Sequence, residues 1–177
     1  MAFLVAAVIL AGAIGLVNLM FTYGVVRRLR EHTEILDRLA GPSGKIIIEP
    51  GQRVADVAAV TVDGDSIAIY GSDGPTLVGF FSPACQPCKA KLPGFVELAR
   101  QHPGGRRRVL AVMVGGSDDE AEPFMADLGD AASVVRDDKD GPVPVAFGVQ
   151  GFPAFALIGA DGEVKASGSD LSALSSA

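Results

Sequence analysis

The sequence predicts an α/β domain with a mixed sheet flanked by helices, preceded by one N-terminal transmembrane helix. Three observations carry this reading. Residues 2–26 contain no Asp, Glu, Lys or Arg. Two apolar runs of strand length, Thr76 to Phe81 and Val109 to Val114, suit strands covered on both faces, and a helical pattern follows each. Near the end, Gly151 to Ile158 and Glu163 to Ser167 flank Asp161-Gly162, a tight-hairpin signal. Strand, helix, strand, helix and a terminal antiparallel pair make a layered α/β sandwich.

Taken in order, residues 1–26 read as a transmembrane anchor. As a helix, residues 2–26 would span about 37 Å, enough to cross a bilayer with some tilt. A cleaved leader has a basic start and a shorter apolar core, and neither is present here. Residues 27–44 read as a juxtamembrane helical stalk and linker. Arg27, Arg28 and Arg30 open it, Leu29, Ile35, Leu36 and Leu39 are its apolar positions, and Gly41-Pro42-Ser43-Gly44 ends it.

The globular domain occupies residues 45–177. Ile46-Ile47-Ile48 is a short apolar run, and Val54 to Val57 leads to a turn at Asp63-Gly64 with Ser66 to Ile69 as hairpin partner. After the strand Thr76 to Phe81, a helical face over Lys89 to Gln101 carries Leu92, Phe95, Val96, Leu98 and Ala99. A second helix is expected from about Asp119 to Leu128, capped by Ser117 or Asp118. Ser133 to Val135 is a short strand and Asp137 to Gly141 a turn. Val145 to Val149 is at most one helical turn, limited by Pro142 and Pro144.

Composition narrows the function. With 15 basic and 21 acidic residues and a formal charge of −6, the chain lacks the basic face that nucleic-acid binding requires. Arg106, Arg107 and Arg108 follow Pro103-Gly104-Gly105 and read as a solvated turn leading into a strand.

The chemistry concentrates at Cys85-Gln86-Pro87-Cys88, where the strand ending in Ser82-Pro83 opens onto a helix. The unpaired N–H groups and dipole of a helix start favour negative charge, so thiols there ionise more readily than free cysteine, at about 8.5. Cys85, at the outer edge, is the candidate nucleophile. Cys88, one turn in, is the candidate resolving thiol. Closed structural zinc needs four ligands, and the chain has only these two cysteines, with His32 and His102 not forming a second spaced pair. A structural disulfide between them would close too short a loop to constrain the unfolded chain. No metal and no cofactor are called for.

With these segments in view, the chain resembles the thioredoxin-fold proteins. More narrowly, it resembles the membrane-anchored TlpA-like and MauD-like thiol-disulfide oxidoreductases, over roughly Glu49 to Ala166. Pro50-Gly51 with Val54-Ala55-Asp56-Val57 resembles the family's opening motif, and Cys85-Gln86-Pro87-Cys88-Lys89 its active site, with Gln86 and Pro87 as support. Pro93 falls where the family kinks its active-site helix. Phe147 to Pro153, followed by Leu157 to Gly162, resembles its cis-proline and final hairpin.

The resemblance implies a cis Phe152–Pro153 bond against the dithiol, with the backbone of Phe152 offered to an extended substrate peptide. Three departures accompany it. Ala84 stands where the family often has an aromatic residue. Gly79 stands where thioredoxins bury an acid. Only Ser169 to Ala177 follows the last strand, so the usual closing helix is short or missing.

The function expected on these grounds is disulfide exchange with a protein client, recharged by an upstream redox partner. The competing expectation is a docking or sensor module on the membrane that responds to oxidation without turnover. The resemblance places the domain outside the cytoplasmic membrane. The arginines just after the span argue the reverse by the positive-inside rule.

Overall fold

A computed structural model of the chain describes residues 45–71 and 74–174, together with positions 3–5, 9, 12, 14–16, 19 and 20. The chain divides into two compact units, Met1–Gly44 and Lys45–Ala177. In the first, the described positions are helical and their large apolar side chains, Phe3, Leu16 and Met20 among them, are exposed. Among the described residues no helix is long and apolar enough to cross a membrane. Most of the run 2–26, and all of the expected stalk and linker over 27–44, lie outside those residues.

The second unit is built on a five-stranded main sheet and a two-stranded hairpin. A hairpin of β1 (Ala58–Val60) and β2 (Ser66–Ala68) precedes β3 (Thr76–Phe81), α1 (Gln86–Gln101) and β4 (Val109–Val114). Then come α2 (Asp118–Leu128), β5 (Ser133–Asp137), the short α3 (Pro142–Ala146), β6 (Ala154–Ile158) and β7 (Val164–Gly168). A 3-10 turn, Leu171–Leu174, follows. The main sheet has the order β5-β4-β3-β6-β7. β3, β4 and β5 run parallel; β6 is antiparallel to β3, and β7 to β6. This is the mixed, helix-flanked sheet that the sequence predicts.

Every residue of β3 and β4 is buried, because both faces are covered. One face packs Leu77, Phe81, Met113 and Phe155 against Leu92, Phe95 and Val96 of α1 and Phe124 and Leu128 of α2. The other packs Val78, Phe80, Val112 and Ile158 against Ile47, Val54, Ile69 and Phe147. Phe81, Phe95 and Phe155 form an aromatic triangle with centroids 5.2–5.8 Å apart, giving the first face a rigid centre.

Four boundaries differ from the sequence reading, each for a local reason. α1 begins at Gln86 rather than Lys89, since Pro87 in the first turn needs no N–H partner. The same rule moves α3 to Pro142–Ala146: Pro142 and Pro144 sit in its first turn and start the helix instead of limiting it. The strand expected from Gly151 begins at Ala154, because Pro153 has no N–H for the ladder. The first hairpin strand is Ala58–Val60 rather than Val54 to Val57, which instead joins Val54 N–H to the Gly162 carbonyl at 3.0 Å.

Candidate active site

Cys85 and Cys88 lie where β3 turns into α1, at the carboxyl end of the parallel strands. The Cys85 N–H donates to the Ser82 carbonyl at 3.0 Å, closing the Ser82-Pro83-Ala84 turn. Cys85 is the N-cap of α1, and its sulfur accepts the Cys88 N–H at 3.4 Å. The helix start thus turns a free N–H onto the outer sulfur, as the sequence implies.

Both cysteines are free thiols; Cys85 is half-buried and Cys88 fully buried. Burial pushes the Cys88 thiol up to about 12, and its hydrogen bond and charge coupling with Cys85 push the same way, against a backbone bond from Ser82.

The Phe152–Pro153 bond is cis. The Cys85 thiol donates to the Phe152 carbonyl at 3.5 Å, so the loop that precedes β6 lies directly against the outer sulfur. Pro153 is buried and Phe152 half-buried, while Ala84, Gln86 and Pro87 are exposed around the thiol. Pro93 lies inside α1 on its exposed side, where it cannot donate to the Lys89 carbonyl. The expected site residues Cys85, Cys88, Gln86, Pro87, Phe152 and Pro153 are therefore brought together, with Pro93 two turns along the same helix.

Two supports of the site are not visible as sequence motifs. Ile46 to Ile48 forms no strand. It laces to the loop before Pro153 through Ile48 N–H to the Phe147 carbonyl and Gln150 N–H to the Ile46 carbonyl, both 2.8 Å. The other support is the aromatic packing at Gly79, paired in register with Ala111 and Phe155 at the centre of the sheet. A Cβ there would meet Phe95 Cε2 at 2.7 Å and Phe81 Cε2 at 2.9 Å. The space in which thioredoxins bury an acid is filled here by the rings of Phe95 and Phe81.

Fold and site together define a thioredoxin-fold protein with a Cys-x-x-Cys dithiol at the start of its first domain helix and a cis-proline loop against it. The comparisons with known proteins agree with that class. The chain is 34% identical over 89 residues to the thiol:disulfide interchange protein CycY of Rhizobium leguminosarum bv. viciae. That match spans 50% of this chain and 46% of the relative, less than half its length. A secreted disulfide oxidoreductase of Mycobacterium tuberculosis, homologous to the E. coli protein DsbE, superposes with a TM-score of 0.53 at 20% identity, over 67% of this chain and 86% of that one. An exposed lipoprotein thioredoxin of Streptococcus pneumoniae superposes with a TM-score of 0.55 at 22% identity, over 69% and 96%. No family model matches the chain.

Proposed function

We propose that the protein is a membrane-anchored thiol-disulfide oxidoreductase that exchanges disulfides with a protein client through Cys85 and Cys88. The observation that carries this is the half-buried Cys85 sulfur, held between the Cys88 N–H and the Phe152 carbonyl beside cis-Pro153. The similarity to CycY, a thiol:disulfide interchange protein, supports the same reading.

In the reducing direction the Cys85 thiolate attacks a client disulfide. A mixed disulfide forms and one client thiolate leaves. Cys88 then gives up its proton, through water, to the departing client sulfur and attacks the Cys85 sulfur. The Cys85–Cys88 disulfide forms, the second client sulfur leaves as a thiol, and two electrons have passed to the client. An upstream redox partner returns the electrons. In the oxidising direction the same steps reverse. The exposure of Ala84, Gln86 and Pro87 suits a protein disulfide, and in this reading the Phe152 backbone beside Cys85 pairs with an extended client segment.

The uncharged run 2–26 and the exposed apolar side chains of the first unit support an anchor in the cytoplasmic membrane. An extracytoplasmic domain fits the compartments in which disulfides persist, and two fold relatives are described as secreted and as an exposed lipoprotein. The order of motifs from Pro50-Gly51 through Cys85-Gln86-Pro87-Cys88 to Phe152-Pro153 supports a TlpA-like or MauD-like form of this activity.

One observation favours the second reading, a redox-responsive docking module without turnover. Cys88 is fully buried, and burial disfavours the thiolate that the resolving step requires. Turnover separates the two readings. Under a thiol reductant the full chain in detergent should reduce a model protein disulfide catalytically. Cys85→Ser should abolish this, and Cys88→Ser should accumulate a mixed disulfide through Cys85. A single stoichiometric oxidation with no turnover would make the docking module correct. Labelling of intact cells with an impermeant maleimide, before and after mild reduction, tests the side of the membrane; labelling only after lysis would put the domain in the cytoplasm.

A further inference from the structure

The turn that carries the dithiol is held from a direction that the motif does not suggest. A Cβ on Gly116 would meet Pro83 Cγ at 2.7 Å, so the Gly116 backbone approaches closely the ring that precedes Ala84-Cys85. Gly115 and Gly116 have φ values of +68° and +79°, a left-handed pair that L side chains rarely adopt. Glycine has the greatest backbone freedom of any residue, so two in succession brace a turn only where other groups fix them.

One such group is Arg136. It lies on the edge strand β5, opposite Met113 of β4, and its side chain takes the same sheet face as the buried Val134. Its guanidinium donates to the Gly116 carbonyl at 2.9 Å and pairs with Asp118 in the first turn of α2. A planar fork of donors can serve a carbonyl and a carboxylate at once, which an ammonium cannot do in one geometry. On either side, Gly115 N–H donates to the Asp137 carbonyl at 3.1 Å, and Ser117 with Glu120 forms a capping box.

We propose that Arg136 is a positioning residue for the dithiol, acting through the Gly116 carbonyl and the Pro83 ring on the Ser82-Pro83-Ala84 turn. That turn fixes Cys85 through the Ser82 carbonyl, and the Ser82 backbone also bonds the Cys88 thiol. Releasing Gly116 therefore changes both sulfurs at once. The consequence for turnover rests on the exchange reading; the consequence for the thiol–disulfide equilibrium does not.

The test uses the full chain in detergent and Arg136→Met. The dithiol is equilibrated with glutathione, and the reduced fraction is read by mass shift after alkylation. The expected result is a change of at least about threefold in the equilibrium constant, together with a lower kcat and an unchanged KM for a model disulfide. Arg136→Lys, which keeps the charge and one donor, should recover part of both. Gly116→Ala should move them the same way, and the double variant should be less than additive. Arg106→Met, which removes bonds to Asp63 and the Ala132 carbonyl at the far end of β4, should leave the equilibrium unchanged. An equilibrium constant unmoved in Arg136→Met, or moved equally by Arg106→Met, overturns the proposal. If Arg136→Met does not fold, the same two outcomes are read from Arg136→Lys. A wild-type chain that shows no turnover but shifts its equilibrium in Arg136→Met would sink the exchange reading and leave this inference standing.

Discussion

Phe95 occupies the space that a side chain at Gly79 would need. A Cβ at Gly79 would sit 2.7 Å from Cε2 and 2.8 Å from Cζ of that ring. The two positions are complementary: the strand gives up its side chain so that an aromatic ring from α1 can rest on the sheet centre beneath the dithiol. Among the contacts that seat the helix presenting Cys85 and Cys88, this one leaves the least room.

Adding a methyl group at that contact should therefore be costly. Gly79→Ala should destabilise the domain by about 1–3 kcal/mol, the usual range for overpacking a well-filled core. Gly79→Ala combined with Phe95→Leu should lose less than the two single changes summed, since the smaller side chain makes room. Denaturant unfolding of the three variants measures this. A neutral Gly79→Ala would mean that the rings can retreat.

The raised Cys88 thiol gives the reduced protein a signed pH dependence. The native state keeps this proton up to about 12, whereas the unfolded chain releases it near 9.0. Its contribution to stability is complete below about pH 9 and is lost as pH rises through that window. Urea unfolding of the reduced chain at pH 8, 9 and 10 should show a decline that Cys88→Ala lacks. Parallel curves for the two proteins would count against a strongly buried thiol.

The chain after β7 is clipped to α1 by one ion pair, Lys91 Nζ to Asp170 at 2.5 Å, with Lys91 also donating to the Ser169 carbonyl. The Lys91 ammonium, and then Ser172, hold the Asp170 carboxyl down to about 2. A lowered carboxyl contributes above its ordinary 3.8 and loses that contribution as pH falls through about 2. Asp170 is well exposed, so Asp170→Asn should cost under about 1 kcal/mol and the effect should shrink in salt. Melting curves from pH 5 to pH 2, for the chain and for Asp170→Asn, check this. A larger, salt-insensitive loss would indicate that Leu171 and Leu174 leave the core with the clip.

What the sequence disclosed follows from how local each signal is. β3 and β4 appear at the expected residues because burial on both faces leaves an unbroken apolar run, and the dithiol is a contiguous motif. The cis bond at Pro153 was expected from resemblance, since no spacing within the chain encodes it. The bracing of the Phe147–Pro153 loop by Ile46 and Ile48 is long-range and uses backbone atoms, which leave no residue pattern. The contact between Gly79 and Phe95 was half legible: the missing acid at Gly79 was plain, but what fills its place depends on how α1 lies on the sheet. Arg136 gave no signal, because its partner at Gly116 is a carbonyl.

The lacing of Ile46 and Ile48 to the cis-proline loop has a mechanical side. Any displacement of Ile46 or Ile48 is carried to that loop through Gln150 N–H to Ile46 O and Ile48 N–H to Phe147 O, bonds that lie outside the strands of the main sheet. The loop whose Phe152 carbonyl accepts the Cys85 thiol is thus tied to the opening of the domain, and a shift of Ile46 to Ile48 is passed on to the sulfur's own partner.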